Sequence, residues 1–293
     1  MSWFESPQHA DRELARVRYL ADHATATTVF LAAALEKPLL VEGPAGVGKT
    51  QLAKAVAAAT GAELIRLQCY EGLDEARALY EWNYKKQLLR IQASAAAGAG
   101  DTAWEQTHDD IFTDEFLLTR PLLTAIRRET ATVLLVDEAD KTDVEVEALL
   151  LEVLSDFQVT VPELGTVTAA RRPFVVVTSN ATRELSEALK RRCLYLHLDY
   201  PSPERERDIV LAQVPELDHD LADELVRTAA TLRTLELKKA PSVAETIDWA
   251  RTLLALGVGT LDADAIASTL GVVLKHHSDH ARAAKELGLP GAG

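Results

Sequence analysis

The chain has 293 residues, 47% of them apolar and 26% charged, enough for one large or two modest domains and too apolar for a disordered chain. Its net charge of −14 argues against the basic surface that phosphate-backbone binding needs, so a protein partner is expected rather than nucleic acid. No apolar run reaches the roughly 18 residues of a membrane span, no leader pattern opens the chain, and Cys69 and Cys193 have neither metal-ligand nor disulfide spacing, so a cytoplasmic protein is expected.

In chain order, Leu39-Leu40-Val41 follows Pro38 and reads as a buried strand. Gln51 to Ala59 reads as an alanine-rich helix with Gly61 at its C-cap. Glu63 to Leu67 is the next strand. One long helix is predicted from Asp74 to Ala97, ending in the flexible signal Ala97-Gly98-Ala99-Gly100, and another from Leu117 to Glu129. Val133 to Val136 is the most apolar strand, and Val144 to Leu154 carries leucines at helical spacing. Val159-Thr160-Val161 and Val167-Thr168 flank Pro162-Glu163-Leu164-Gly165 as a hairpin. Phe174 to Val177 and Leu194 to Leu198 are the last strands. After Pro201-Ser202-Pro203 only helical segments follow, near 203–213, 218–235, 242–256 and 262–276. The expected class is α/β over 1–200, a parallel sheet covered by helices on both faces, followed by a small all-α domain over 201–293.

Gly43-Pro44-Ala45-Gly46-Val47-Gly48-Lys49-Thr50 matches G-x-x-x-x-G-K-[ST] in full, between a predicted strand and a predicted helix. Its glycines let backbone amides curl around phosphates, and the helix N-terminus adds its positive dipole end. Lys49 brings a positive charge to the β and γ phosphates of ATP, and the Thr50 hydroxyl can ligate Mg²⁺. Asp137 and Glu138 end the most apolar strand, where a parallel sheet presents ligand-binding groups. Asp137 is suited to Mg²⁺, directly or through water, and Glu138 to polarising the attacking water as general base. Asn180, ending the next strand, is placed to meet the γ-phosphate or that water; an Asx turn is the other reading. Lys190-Arg191-Arg192 is either a solvated basic cluster at a helix C-terminus or an arginine finger for a neighbouring subunit.

Taken together these residues resemble the AAA+ ATPases, and within them the MoxR group and its CoxD-like members. The segments Leu67-Gln68-Cys69-Tyr70-Glu71-Gly72-Leu73-Asp74, Leu150 to Val159, and Leu189 to Cys193 with Tyr200-Pro201 carry the subgroup resemblance. The resemblance implies a P-loop AAA+ core with a five-stranded parallel sheet and a small helical lid. It implies sensor 1 at Asn180, the finger at Arg192 with Arg191 as neighbouring candidate, and a homo-oligomeric ring, usually a hexamer. The hairpin near Gln158–Ala170 matches an insertion before sensor 1, and Tyr70 and Trp82 lie in a second insertion, where core packing is preferred to a central pore. The arginine of the sensor 2 helix is absent: Val243 or Ala244 stands in its place, and Lys238, Lys239 and Arg251 are the nearby cations. The function implied is an ATP-hydrolysing remodelling chaperone that works with a von Willebrand factor A domain protein. Its client would be a metalloenzyme such as a molybdenum–copper carbon monoxide dehydrogenase. The alternatives are a nucleic-acid motor or restriction-system subunit, and a slow nucleotide-gated scaffold. The spacing of His276, His277 and His280 reads as a solvated helix end rather than a metal site.

Overall fold

The structure is a computed structural model that describes residues 3–96 and 110–290. Helices α1 (Pro7–Arg16) and α2 (His23–Ala34) lead into strand β1 (Leu39–Glu42) and α3 (Lys49–Thr60). Strand β2 (Glu63–Gln68), β5 (Thr132–Asp137), β8 (Phe174–Ser179) and β9 (Leu194–His197) complete one sheet in the order β2-β5-β8-β1-β9. Every pairing in it is parallel. Side chains alternate across these strands with period two, and both faces are buried. Leu134, Val136, Val175 and Val177 join one core cluster, whereas Val133, Leu135, Phe174 and Val176 join the other, beneath α1, α2 and α3. That is why the strands read as unbroken apolar runs.

The helix expected over 74–97 is broken. Residues Glu75–Ala78 form a single turn, α4; Tyr80–Trp82 form strand β3; and α5 spans Tyr84–Ala96. Strand β3 pairs antiparallel with β4 (Leu117–Thr119), so the second expected helix also begins late, as α6 (Pro121–Arg127) with Pro121 in its first turn. Trp82 is buried and packs edge-on against Phe112, as core packing requires, while Tyr70 is 40% exposed and its hydroxyl accepts from Arg77. The Ala97–Gly100 loop signal lies outside the described residues.

Helix α7 (Val144–Asp156) follows β5, and the expected hairpin is present as β6 (Gln158–Val161) and β7 (Gly165–Thr168). Helix α8 (Glu187–Arg192) precedes β9. Beyond it the described chain is helical: α9 (Pro203–Gln213), α10 (His219–Thr234), α11 (Val243–Ala255), α12 (Ala263–Val273) and α13 (His277–Glu286), the last not anticipated from the sequence. These helices bury their own cluster around Leu225, Trp249 and Leu253. No helix among the described residues is long and apolar enough to cross a membrane.

Candidate nucleotide site

The sheet register brings the functional strand ends together. Glu42 lies opposite Ser179, Gln68 opposite Asp137, and Val136 opposite Val177. The loop after β1 therefore faces Asp137, Glu138 and Asn180 across the C-terminal edge of the sheet, where ligands bind in open α/β folds. Two glycines shape the loop. Gly43 has φ +150° and Gly46 φ +77°; a methyl on the first would collide with the Leu198 carbonyl and on the second with Ser242. The Ala244 amide also donates to the Gly46 carbonyl at 3.2 Å, so α11 sits directly on the loop.

Lys49, in the first turn of α3, donates through Nζ to the carbonyls of Gly43 (2.7 Å) and Pro44 (2.7 Å) and to Asn180 Oδ1 (2.8 Å). Burial lowers its amine below the usual range, opposed by the charges of Asp140, Asp137 and Glu138. Thr50 Oγ1 donates to Asp137 Oδ1 at 2.9 Å, and Thr178 Oγ1 donates to the same oxygen at 2.6 Å. Arg66 reaches Asp137 Oδ2 from the other side through Nε (3.0 Å) and Nη2 (2.6 Å). Glu138 holds a left-handed backbone, φ 59°, an uncommon conformation for a side chain other than glycine that marks functional turns. Its carboxylate accepts from Lys141 Nζ (2.7 Å), Gln68 Nε2 (3.0 Å) and Asn180 Nδ2 (3.5 Å).

A cavity of about 420 Å³ runs from Ala45–Thr50, Asp137, Glu138 and Asn180 to Arg18, Tyr19, Leu20, Ile209, Gln213 and Ile247. One end offers Lys49 and the N-terminus of α3 to phosphates; the other sets Leu20, Ile209 and Ile247 beside Arg18, Tyr19 and Gln213, a mixed surface suited to a base. The adjacent hydroxyl of Thr50 and carboxylate of Asp137 are hard oxygen donors, the kind Mg²⁺ takes alongside phosphate and water, so the residues fit a Mg²⁺–nucleotide. The ion, when bound, neutralises charge on the phosphates.

Every expected loop and strand-end residue thus meets at one place. Arg191 and Arg192 do not: both are exposed at the end of α8 and neither lines the cavity. Arg192 donates to Ser155 of α7 and to the Ala188 carbonyl, while Arg191 has no hydrogen bond or ion pair among the described residues. At the position where the resemblance places a sensor 2 arginine, Val243 and Ala244 line the cavity, as does Arg251, which pairs with Asp248 at 3.1 Å. Lys239 is instead paired with Glu245, and Lys238 contributes its backbone amide to Asp279.

Four contributors were missed in the sequence: Arg66, Gln68, Asp140 and Thr178. Arg66 and Gln68 are two apart on β2, so the polar alternation of Glu63-Leu64-Ile65-Arg66-Leu67-Gln68 was the available signal. Asp140 is buried and accepts from the Asn180 and Thr182 amides, which fixes the turn that carries Asn180. Burial pushes its carboxyl up, but the bonds from Thr182 and Asn180 outweigh this and hold it below the usual range. Burial pushes the thiols of Cys69 and Cys193 up to about 12, with Asp137, Asp140 and Glu138 adding to it at Cys69, which disfavours the thiolate at neutral pH.

The family description "AAA domain (dynein-related subfamily)" matches residues 38–193, more than half of the chain. The chain belongs to this AAA+ family, whose members are nucleotide-hydrolysing ATPases. It is 28% identical over 212 residues to Protein NorQ of Paracoccus denitrificans (strain Pd 1222), covering 70% of this chain and 68% of that one, which supports a MoxR-type member. It is 33% identical over 140 residues to Chaperone protein ClpB 2 of Parasynechococcus marenigrum (strain WH8102), 47% of this chain but 13% of the other. A solved structure of a Thermotoga maritima RuvB variant aligns over 96% of this chain and 82% of its own, with 14% identity and a TM-score of 0.49.

Proposed function

We propose that the chain hydrolyses ATP with Mg²⁺ at this cavity and uses the cycle to remodel a protein client, as a CoxD-like, MoxR-type chaperone. The observation that carries the reading is the convergence of Lys49, Thr50, Asp137, Glu138 and Asn180 on one cavity, with Lys49 bonded to Asn180, Asn180 to Glu138, and Thr50 to Asp137. In this reading Gly43, Pro44, Ala45, Gly46, Val47, Gly48 and Lys49 cradle the phosphates. Thr50 and Asp137 face the metal, Glu138 takes the proton of the attacking water, and Asn180 orients that water against the γ-phosphate. Residues 1–200 act as the nucleotide-binding core and 201–293 as its lid. Arg192, with Arg191 beside it, reaches the γ-phosphate of the next subunit in a homo-oligomeric ring, a hexamer; their position on the surface, away from their own cavity, supports a role in trans.

The client we infer is a metalloenzyme whose centre needs assembly, such as a molybdenum–copper carbon monoxide dehydrogenase, approached with a von Willebrand factor A domain partner in the cytoplasm. Support comes from the MoxR-like motifs and the NorQ likeness. The test is affinity capture with tagged Glu138→Gln protein held in ATP, identifying bound protein and nucleic acid. A von Willebrand-type protein or a molybdenum hydroxylase among the captured species sustains the reading. Capture of DNA or a nuclease subunit in their place overturns it in favour of a nucleic-acid motor.

A further inference from the structure

The two oxygens of Asp137 are held differently. Oδ1 accepts from two neutral hydroxyls, Thr50 and Thr178, while Oδ2 accepts from both Nε and Nη2 of Arg66. The Asp137 side chain is 2% exposed and that of Arg66 48%, so a buried carboxylate is neutralised by a guanidinium reaching in from solvent. Arg66 stands on β2 opposite Leu135, with β5 and β8 between its strand and β1, the strand that leads into the phosphate loop, and its Nη2 also bonds Gln68. Lys49 and Lys141 are the other cations bonded within the same polar cluster. A divalent ion brought to Asp137 would meet the guanidinium at the same carboxylate, and two cations sharing one carboxylate repel each other.

We propose that Arg66 is a built-in counter-ion that competes with Mg²⁺ for Asp137, so that the site rejects the free ion and accepts it only together with a polyphosphate. The four or so negative charges of the nucleotide offset the crowding of Mg²⁺, Lys49 and Arg66; without them the metal has to displace the guanidinium unaided. Arg66 is then a residue that sets the form in which the substrate binds, as a metal–nucleotide complex. The inference rests on the reading of Asp137 as the metal-facing acid.

The test is equilibrium binding, independent of turnover. A fluorescent non-hydrolysable ATP analogue is titrated into wild-type, Arg66→Gln, Arg66→Lys and Asp137→Asn proteins, in excess chelator and over a series of Mg²⁺ concentrations. Mn²⁺ binding without nucleotide is followed in parallel by electron paramagnetic resonance. Arg66→Gln should need about tenfold less Mg²⁺ for half-maximal tightening, and should bind Mn²⁺ alone where wild type does not. Arg66→Lys keeps the charge and removes the fork, which guards against a folding defect; it should fall between the two. An unchanged or higher Mg²⁺ requirement in both Arg66 variants overturns the inference while Asp137→Asn still abolishes the Mg²⁺ effect. If Asp137→Asn also keeps the wild-type Mg²⁺ effect, the reading of Asp137 fails and the role of Arg66 falls with it.

Discussion

Lys49 places all three ammonium protons on oxygens of Gly43, Pro44 and Asn180, so a phosphate oxygen reaching it exchanges for one of them within a prepared cradle. Lys49→Ala should weaken ATP binding by about a hundredfold, the loss of a charge-assisted bond, as measured by calorimetric titration. Glu138→Gln removes the base but leaves the cradle, so kcat should fall by about 10²–10⁴ with ATP affinity kept within a few-fold, as read in single-turnover hydrolysis. The sequence exposed these residues because chemistry and spacing coincide: a glycine loop has to follow a strand, and two carboxylates have to end one. Arg66 and Thr178 were hidden for the opposite reason. They reach Asp137 from positions 71 and 41 residues away, and no local pattern names Asp137 as their partner; the alternation on β2 marks Arg66 as polar and no more.

Among the elements, the sheet was legible and the insertion after β2 was not. Val133 to Val136 and Phe174 to Val177 are buried on both sides, so composition alone marks them. Tyr80-Glu81-Trp82 sits among helix-forming residues, and only its partner strand Leu117–Thr119 makes it extended, a long-range effect that overrides propensity. A different long-range tie joins α7 to the segment before α8. Glu147 is buried, accepts from the Ser186 amide at 2.9 Å, and is paired with Arg183, which also donates to the Thr142 carbonyl. Burial pushes the Glu147 carboxyl up, but the bonds from Ser186 and Arg183 more than offset this and leave it below the usual value. A lowered folded-state value means that its stabilisation is complete above the unfolded value, near pH 4.3, and is lost as pH falls through the folded value. Glu147→Gln should therefore cost about 1–2 kcal/mol at neutral pH, with a shallower decline in melting temperature on acidification than wild type.

For the molecule as a whole, the two halves of the chain were legible as a change from alternating strands and helices to helices alone, but their contact was not. Arg191 and Arg192 lie on the core surface, so the ring reading makes a prediction about mixtures of subunits. Arg192→Ala should retain nucleotide binding and lose turnover. Assemblies mixing it with Lys49→Ala subunits should recover hydrolysis, because each supplies what the other lacks. No recovery would place the arginine's role within its own subunit, in its bond to Ser155. The absence of the expected lid arginine acquires a mechanical sense from the seat of α11. With small residues at 243 and 244, the first turn of that helix closes onto Gly46, Ser242 against its α-carbon and the Ala244 amide on its carbonyl. If the helical segment serves as the proposed lid, this contact is its latch, since opening would break that bond. The dwell time of spent nucleotide, and with it the tempo at which a client feels each cycle, would be set at a glycine.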